Sequence, residues 1–175
     1  MSPRRLAAVT PLLIALTAAC ALLATDASAH VGHVISRAER YIKLDVDGYQ
    51  ARVVLSLTLG PDEGRRVLEA ADEDGDGEVT RAEADAYLAQ WTASLQEELP
   101  VRLDDVALTM VWGEPYFEPI GAVRPVPLTL EVVARFELEG GDETVTIVDR
   151  MVRREVFERT DVAFQIRGGA GLVQS

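Results

Sequence analysis

The sequence predicts an α+β fold that is mainly antiparallel β, a small sandwich-like domain with an inserted helix–loop–helix segment. Short runs in which apolar and polar residues alternate recur along the chain, and this period of two is typical of half-buried strands. One intervening region repeats its apolar residues at spacings of three and four, as amphipathic helices do. Of the 175 residues, 48% are hydrophobic and 26% are charged, an ordinary globular composition.

The strand predictions rest on these alternating runs. Between the first two runs lies Asp47-Gly48, a dipeptide that favours a β-hairpin. Asp104-Asp105 precedes another expected strand, and a stretch rich in proline and aromatic residues follows it as a loop or an irregular edge. The alternating runs are 42–46, 51–59, 128–138, 145–147 and 162–166, the further strand is 106–112, and the loop or irregular edge is 114–127.

Two helices are expected between the second strand and Pro100. The first covers 62–71 and begins with acidic residues, which favour a helix amino terminus. The second runs from about Arg81 to Glu98 and carries Ala84, Leu88, Trp91 and Leu95 on one face, a stripe that indicates core packing. Together they form an insertion at about 61–99 in a single β-rich domain of residues 30–175.

Residues 1–29 have the pattern of a signal peptide. An apolar stretch is followed by Ala27-Ser28-Ala29, small residues that predict cleavage before His30. The expected location is therefore secreted or periplasmic. The alternatives are an uncleaved membrane anchor and lipid attachment at Cys20. After His30 no apolar run is long enough to cross a bilayer, so no transmembrane segment is expected after cleavage.

The composition also excludes classes of partner and activity. With 17 Lys and Arg against 29 Asp and Glu, the net charge of −12 repels nucleic acid and anionic lipid headgroups. The single cysteine belongs to the leader, so no disulfide and no cysteine nucleophile is expected in the processed chain. No Gly-x-Ser-x-Gly elbow or phosphate-binding glycine loop is found. The sequence favours a binding module over an enzyme, with an unknown protein partner or self-association.

The segment 72–83 reads Asp-Glu-Asp-Gly-Asp-Gly-Glu-Val-Thr-Arg-Ala-Glu. Acidic turns between helices are common, but a solvated turn has no reason to place glycine sixth, an aliphatic residue eighth and glutamate twelfth. With its flanking helices, this segment resembles the EF-hand calcium-binding family. The resemblance predicts an exported calcium-binding domain in which Ca²⁺ has a structural role.

The resemblance also implies which atoms would bind the ion. Calcium takes six to eight oxygen ligands, and Gly77 would allow the tight turn that directs them inward. The implied ligands are side-chain oxygens of Asp72, Asp74 and Asp76, the backbone carbonyl of Glu78, an oxygen of Thr80 directly or through water, and both carboxylate oxygens of Glu83.

Val79 occupies the position that forms a short β-bridge to a neighbouring loop in paired hands. No second loop with this pattern is found in the sequence. The bridge is therefore expected to be lost, and Val79 is expected to pack on the sheet or on a second copy of the protein.

A possible second metal site involves His30 and His33, the only histidines. After cleavage, the terminal amine and the imidazole of His30 would chelate copper or nickel, with a third nitrogen from His33. The alternative is a terminus that binds no metal. A histidine at the start, an alternating strand, an Asp-Gly hairpin and an acidic loop are similar to the extracytoplasmic region of bacterial nickel–cobalt exporters and hydrogenase/urease accessory membrane proteins. This likeness implies an alternative function, an extracytoplasmic accessory domain handling nickel, cobalt or copper beside a membrane transporter.

The histidine site can be tested without disturbing the acidic loop. If the terminal chelate exists, a chain that begins at His30 will bind copper more tightly than a chain with one extra residue before it, because the extra residue converts the amine into an amide. Calorimetric titration of both forms with copper measures the difference, and titration with calcium is the control. Equal copper affinities would contradict the chelate.

Overall fold

The computed structural model describes residues 35–140, 142–151, 156–168 and 171, with the backbone alone for Glu114. Most of the strand pairs are antiparallel, and two helices accompany them, so the predicted mainly antiparallel α+β class is confirmed. In chain order the elements are β1 (Ala38–Asp47), β2 (Gln50–Leu59), α1 (Pro61–Ala71), β3 (Glu78–Val79), α2 (Arg81–Glu98), β4 (Val101–Leu103), β5 (Val106–Ala107), β6 (Trp112–Glu118), β7 (Gly121–Ala122), β8 (Leu128–Glu137), β9 (Val145–Ile147) and β10 (Phe157–Arg167).

The largest sheet in the described residues has five strands in the order β10-β1-β2-β8-β6. Strands β1 and β2 form the predicted hairpin, in which Asp47 pairs with Gln50. Gly48 has a φ of +59°, a left-handed conformation that glycine adopts without steric cost. Strand β10 runs parallel to β1, a direction that the alternating pattern does not encode. The two smaller sheets are β3-β7 and β5-β4-β9.

The expected strand 106–112 is wrong in its extent. Strand β5 ends at Ala107, and α2 binds the residues that follow. The Gln96 side-chain amide donates to the Leu108 carbonyl at 2.8 Å, and the Met110 N–H donates to the Gln96 Oε1 at 3.1 Å. Gln96 thus uses backbone groups that a continued strand would need for pairing.

The expected irregular edge after this strand is present in part. Residues 112–118 form β6, the edge strand beside β8, and the pairing shifts register between Gly113 and Tyr116. Phe117 is fully buried, and its ring meets that of Tyr87 on α2 edge to face, with centroids 6.0 Å apart. Tyr116 is about half exposed.

One face of the large sheet forms the main core. The predicted apolar residues of β1, β2 and β8 all lie on this face, because strand side chains alternate between the two faces. The helices cover one end of it, and residues of β4, β9 and the 108–110 segment cover the other end. The predicted stripe of α2 packs here with Ala84, Leu88 and Leu95 buried and Trp91 partly buried.

Among the residues that the structure describes, Arg40 of β1 is the one charged residue that is buried, and it lies among these apolar residues. Its guanidinium forms two hydrogen bonds with the carboxylate of Asp149, at 2.6 and 2.9 Å, and a third with the Thr160 hydroxyl at 3.2 Å. The cation also lies 4.6 Å from the ring centroid of Phe157. These contacts join β1, β10 and the segment that follows β9. The sequence patterns gave no signal for this ion pair.

Removing the carboxylate of Asp149 should strongly destabilise the protein. Asp149→Ala leaves the guanidinium buried without its counter-charge, and we expect the free energy of unfolding to fall by about 3 kcal/mol. Urea unfolding measures the change. Glu69→Ala is the control, since its ion pair with Arg65 on α1 is exposed and should contribute about 0.5 kcal/mol or less. Equal losses in the two variants would contradict this account of Arg40.

Glu158, at the start of β10, fixes the chain just before β1. Its carboxylate accepts hydrogen bonds from the hydroxyl and the backbone N–H of Ser36. The hydroxyl bond is the main reason that the pKa of Glu158 lies below its ordinary value, and the charge of Arg37 lowers the pKa further. A lowered pKa means that the folded state favours the ionised form.

This contact should make part of the stability depend on pH. A carboxyl group with a lowered folded-state pKa stabilises the protein above its unfolded pKa, about 4.3, and the contribution is lost as pH falls through the folded value. We expect the melting temperature of Glu158→Gln to fall less steeply than that of the wild type between about pH 5 and pH 3. Ser36→Ala removes the hydroxyl that donates to the same carboxylate, and it should also make the slope shallower. Identical slopes for Glu158→Gln and the wild type would refute the prediction.

Candidate metal centre

The acidic loop lies between the two helices. Helix α1 ends at Ala71, and its C-cap residue Asp72 donates its N–H to the Leu68 carbonyl at 2.9 Å. Helix α2 begins at Arg81 with Thr80 as its N-cap. Residues 72–80 therefore connect two helix ends, and the loop starts and finishes at residues that are held by helical hydrogen bonds.

Three aspartates converge within this loop. Asp72, Asp74 and Asp76 each offer a carboxylate oxygen, and these oxygens lie within 4.8 Å of one another. Asp72 is partly buried, whereas Asp74 and Asp76 are exposed. Like charges at this spacing repel one another, so the loop needs compensating interactions.

Backbone N–H groups of the loop supply that compensation. Asp72 accepts from Gly75 at 2.9 Å and from Gly77 at 3.0 Å, one bond to each of its oxygens. Asp74 accepts from Asp76 at 3.1 Å, and Asp76 accepts from Glu78 at 2.8 Å. These bonds keep the three side chains turned towards their own backbone.

The turn depends on the glycine at its sixth position. Gly77 has a φ of +86°, in the left-handed region where a side chain would be strained. With this backbone, its N–H reaches the carboxylate of Asp72, five residues earlier. Gly77, which the sequence singled out, therefore has the left-handed backbone that the tight turn was expected to need, as does Gly75 with a φ of +74°.

Glu83 connects the two ends of the loop. Its Oε1 accepts from the backbone N–H of Glu73 at 3.0 Å, and its Oε2 accepts from the N–H and the hydroxyl of Thr80 at 2.8 and 2.7 Å. The bonds from Thr80 are the main cause of a pKa below the ordinary value for Glu83. Its carboxylate lies outside the group formed by the three aspartates.

The residues Thr80 and Glu83 also form a capping box. Thr80 Oγ1 accepts from the Glu83 N–H at 3.3 Å, while the Glu83 side chain accepts from the Thr80 N–H. Two free N–H groups of the first turn are satisfied in this way. The calcium-loop pattern assigns both residues only as metal ligands, although threonine followed three residues later by glutamate is a sequence signal for this cap.

Contrary to expectation, the short bridge at Val79 is present. Strand β3 pairs with β7 of the same chain, with Val79 opposite Gly121, so a bridge forms although the sequence contains no second calcium loop. Val79 is only 2% exposed and belongs to the main core. An ion pair of 2.6 Å between Arg81 and Glu118 lies beside this bridge. The segment that pairs with β3 lies shortly after β6 and is not an acidic loop.

The donors in this loop suit a hard cation. The ligand atoms that residues 72–83 themselves offer are oxygens of carboxylate, carbonyl and hydroxyl groups. Glu78 has an exposed side chain in β3. The predicted signal peptide and the predicted histidine site fall outside the described residues, and both remain predictions.

Comparison of the chain with family models, with curated proteins and with solved structures finds no match. Within the part of the chain that the structure describes, neither helix combines the length and the apolar content needed to cross a bilayer.

Proposed function

We propose that this protein is an exported calcium-binding module whose ion is held by the loop of residues 72–83. The observation that carries the proposal is the convergence of the carboxylates of Asp72, Asp74 and Asp76 within 4.8 Å, in a loop whose two ends are helix termini. A divalent cation between these carboxylates would replace mutual repulsion with attraction. The proposed EF-hand comprises α1, this loop and α2.

Calcium fits the donor set better than a transition metal does. Carboxylate, carbonyl and hydroxyl oxygens are ligands of hard cations, whereas copper and nickel prefer nitrogen. In the proposed site Glu83 contributes both of its carboxylate oxygens, an arrangement that favours the larger Ca²⁺ over Mg²⁺. Glu83 would then exchange its bonds from Thr80 and Glu73 for the ion.

A structural role suits this site better than a signalling role. The ion would join the end of α1 to the start of α2, two helices that cover the main core. In an extracytoplasmic setting calcium is plentiful, and an affinity of about 10⁻⁴–10⁻³ M is typical of extracellular modules. The chain acts in this proposal as a calcium-stabilised binding domain, and its partner would be a protein or a second copy.

Calcium should stabilise the protein against heat, and Glu83→Gln should remove most of that effect. With an affinity of 10⁻⁴–10⁻³ M, about 10 mM calcium adds about 1.4–2.7 kcal/mol to the free energy of unfolding, which raises the melting temperature by several degrees. Gln at this position can still form a capping box through its one oxygen, whereas its amide nitrogen cannot accept from the Glu73 N–H, so the calcium-free protein should also lose some stability. The quantity to compare is therefore the rise that calcium causes, which loss of the bidentate ligand should reduce.

Glu78→Gln is the matched control, because it removes a carboxylate from the same loop and keeps the backbone carbonyl that the site requires. It should retain most of the calcium-dependent rise. The measurement is differential scanning calorimetry with calcium, with magnesium and with chelator. A wild-type melting curve that calcium leaves unchanged would overturn the proposed function.

A further inference from the structure

The β3-β7 pairing controls the direction of the backbone groups in the acidic loop. Glu78 pairs in register with Ala122, and the Val123 N–H donates to the Gly77 carbonyl at 2.8 Å. In an antiparallel pair, residues that exchange hydrogen bonds alternate with residues whose N–H and C=O both point away from the partner strand. The bond at Gly77 places Glu78 in the second class.

A contact inside the loop agrees with this assignment. The Glu78 N–H donates to Asp76 Oδ1 at 2.8 Å, and so it points towards the loop and away from β7. At such a position the carbonyl lies on the same side as the N–H. The Glu78 carbonyl therefore faces the side of the loop that contains the carboxylate of Asp76, where the proposed site requires a backbone ligand.

We infer that residues 121–123, which supply no ligand, are positioning residues that aim the Glu78 carbonyl at the bound ion. This inference rests on the proposed function and deepens it, because it makes the calcium affinity depend on a segment between β6 and β8. Coupling of this kind is reciprocal, so bound calcium strengthens the β3-β7 pairing by the same factor.

The segment 121–123 is well anchored for this role. Val79, opposite Gly121, is buried in the main core, and the side chain of Val123 packs against the same core. The ion pair between Arg81 and Glu118 holds the first residue of α2 to the last residue of β6. These contacts attach the loop to β6 and β7, whereas the Glu78 N–H points away from β7 towards Asp76.

Substitution of Val123 separates the hydrogen bond from core packing. Val123→Pro removes the N–H that binds the Gly77 carbonyl, whereas Val123→Ala keeps that N–H and loses only side-chain contacts. We expect the calcium dissociation constant of the proline variant to rise about threefold to tenfold, as for the loss of one hydrogen bond, and that of the alanine variant to stay at the wild-type value. Calorimetric titration of the purified proteins with calcium chloride measures all three constants.

Terbium is a hard cation whose luminescence reports on the ligands of the bound ion. A variant that only loses stability would therefore leave this signal unchanged. The luminescence lifetimes of terbium in H₂O and D₂O report how many water molecules coordinate the ion. If the Glu78 carbonyl turns away in Val123→Pro, water takes its place, so this variant should show an additional bound water that the wild type and Val123→Ala lack.

The outcomes distinguish this inference from the proposed function. Calcium binding in the wild type with unchanged affinity and hydration in Val123→Pro overturns the inference alone. No calcium binding in the wild type overturns the proposed function and the inference with it. If the proline variant does not fold, hydrogen exchange of the Val123 amide in the wild-type protein provides the test. Protection of this amide that rises with calcium saturation supports the inference, and protection that is independent of calcium overturns it.

Discussion

The apolar face shared by β1, β2 and β8 is the constraint on which the rest of the structure depends. Every second residue of these strands points to this face, and burial of that surface is the main favourable contribution to folding. Helix α1 follows β2 directly, and α2 must return across the same surface. The connection between the helices therefore falls at the border of the core, where Val79 enters it. Burial of apolar side chains therefore determines where the acidic loop lies, and this explanation of its position does not involve a bound ion.

Local periodicity accounts for the parts of the fold that the sequence predicted. The hairpin at Asp47-Gly48 and the second helix appear where the patterns placed them, because each depends on residues close in the chain. Contacts between distant residues left no such pattern. Gln96 ends a predicted strand by binding backbone groups near residue 108, and Arg40 finds its carboxylate more than a hundred residues later. The parallel direction of β10 is equally invisible to a period of two.

In the candidate site, too, contacts between near neighbours could be predicted from the sequence, whereas contacts between distant residues could not. The alternation of Asp72, Asp74 and Asp76 follows from neighbouring positions in a tight turn, and the structure does bring these carboxylates together. The pairing of Val79 with Gly121 joins residues some forty positions apart in the chain and involves no acidic residue, so the acidic pattern does not predict it. To pair with β3, a short strand needs backbone groups that are free to form hydrogen bonds and a buried side chain on the strand opposite, here Val79. Many sequences satisfy this requirement, so it leaves no distinctive pattern.

The several roles of one carboxylate connect stability with the proposed affinity. Glu83 accepts hydrogen bonds at both ends of the loop, and so the loop is ordered by its own donors. An ion that takes this carboxylate must compete with those bonds, because charged acceptors form stronger hydrogen bonds than neutral ones. Because these hydrogen bonds order the loop before an ion binds, they lower the entropic cost of binding. Breaking them when the ion binds makes the binding enthalpy less favourable. Since these two effects oppose each other, we expect a modest affinity for calcium. A modest affinity is adequate for the proposed structural ion in a calcium-rich compartment.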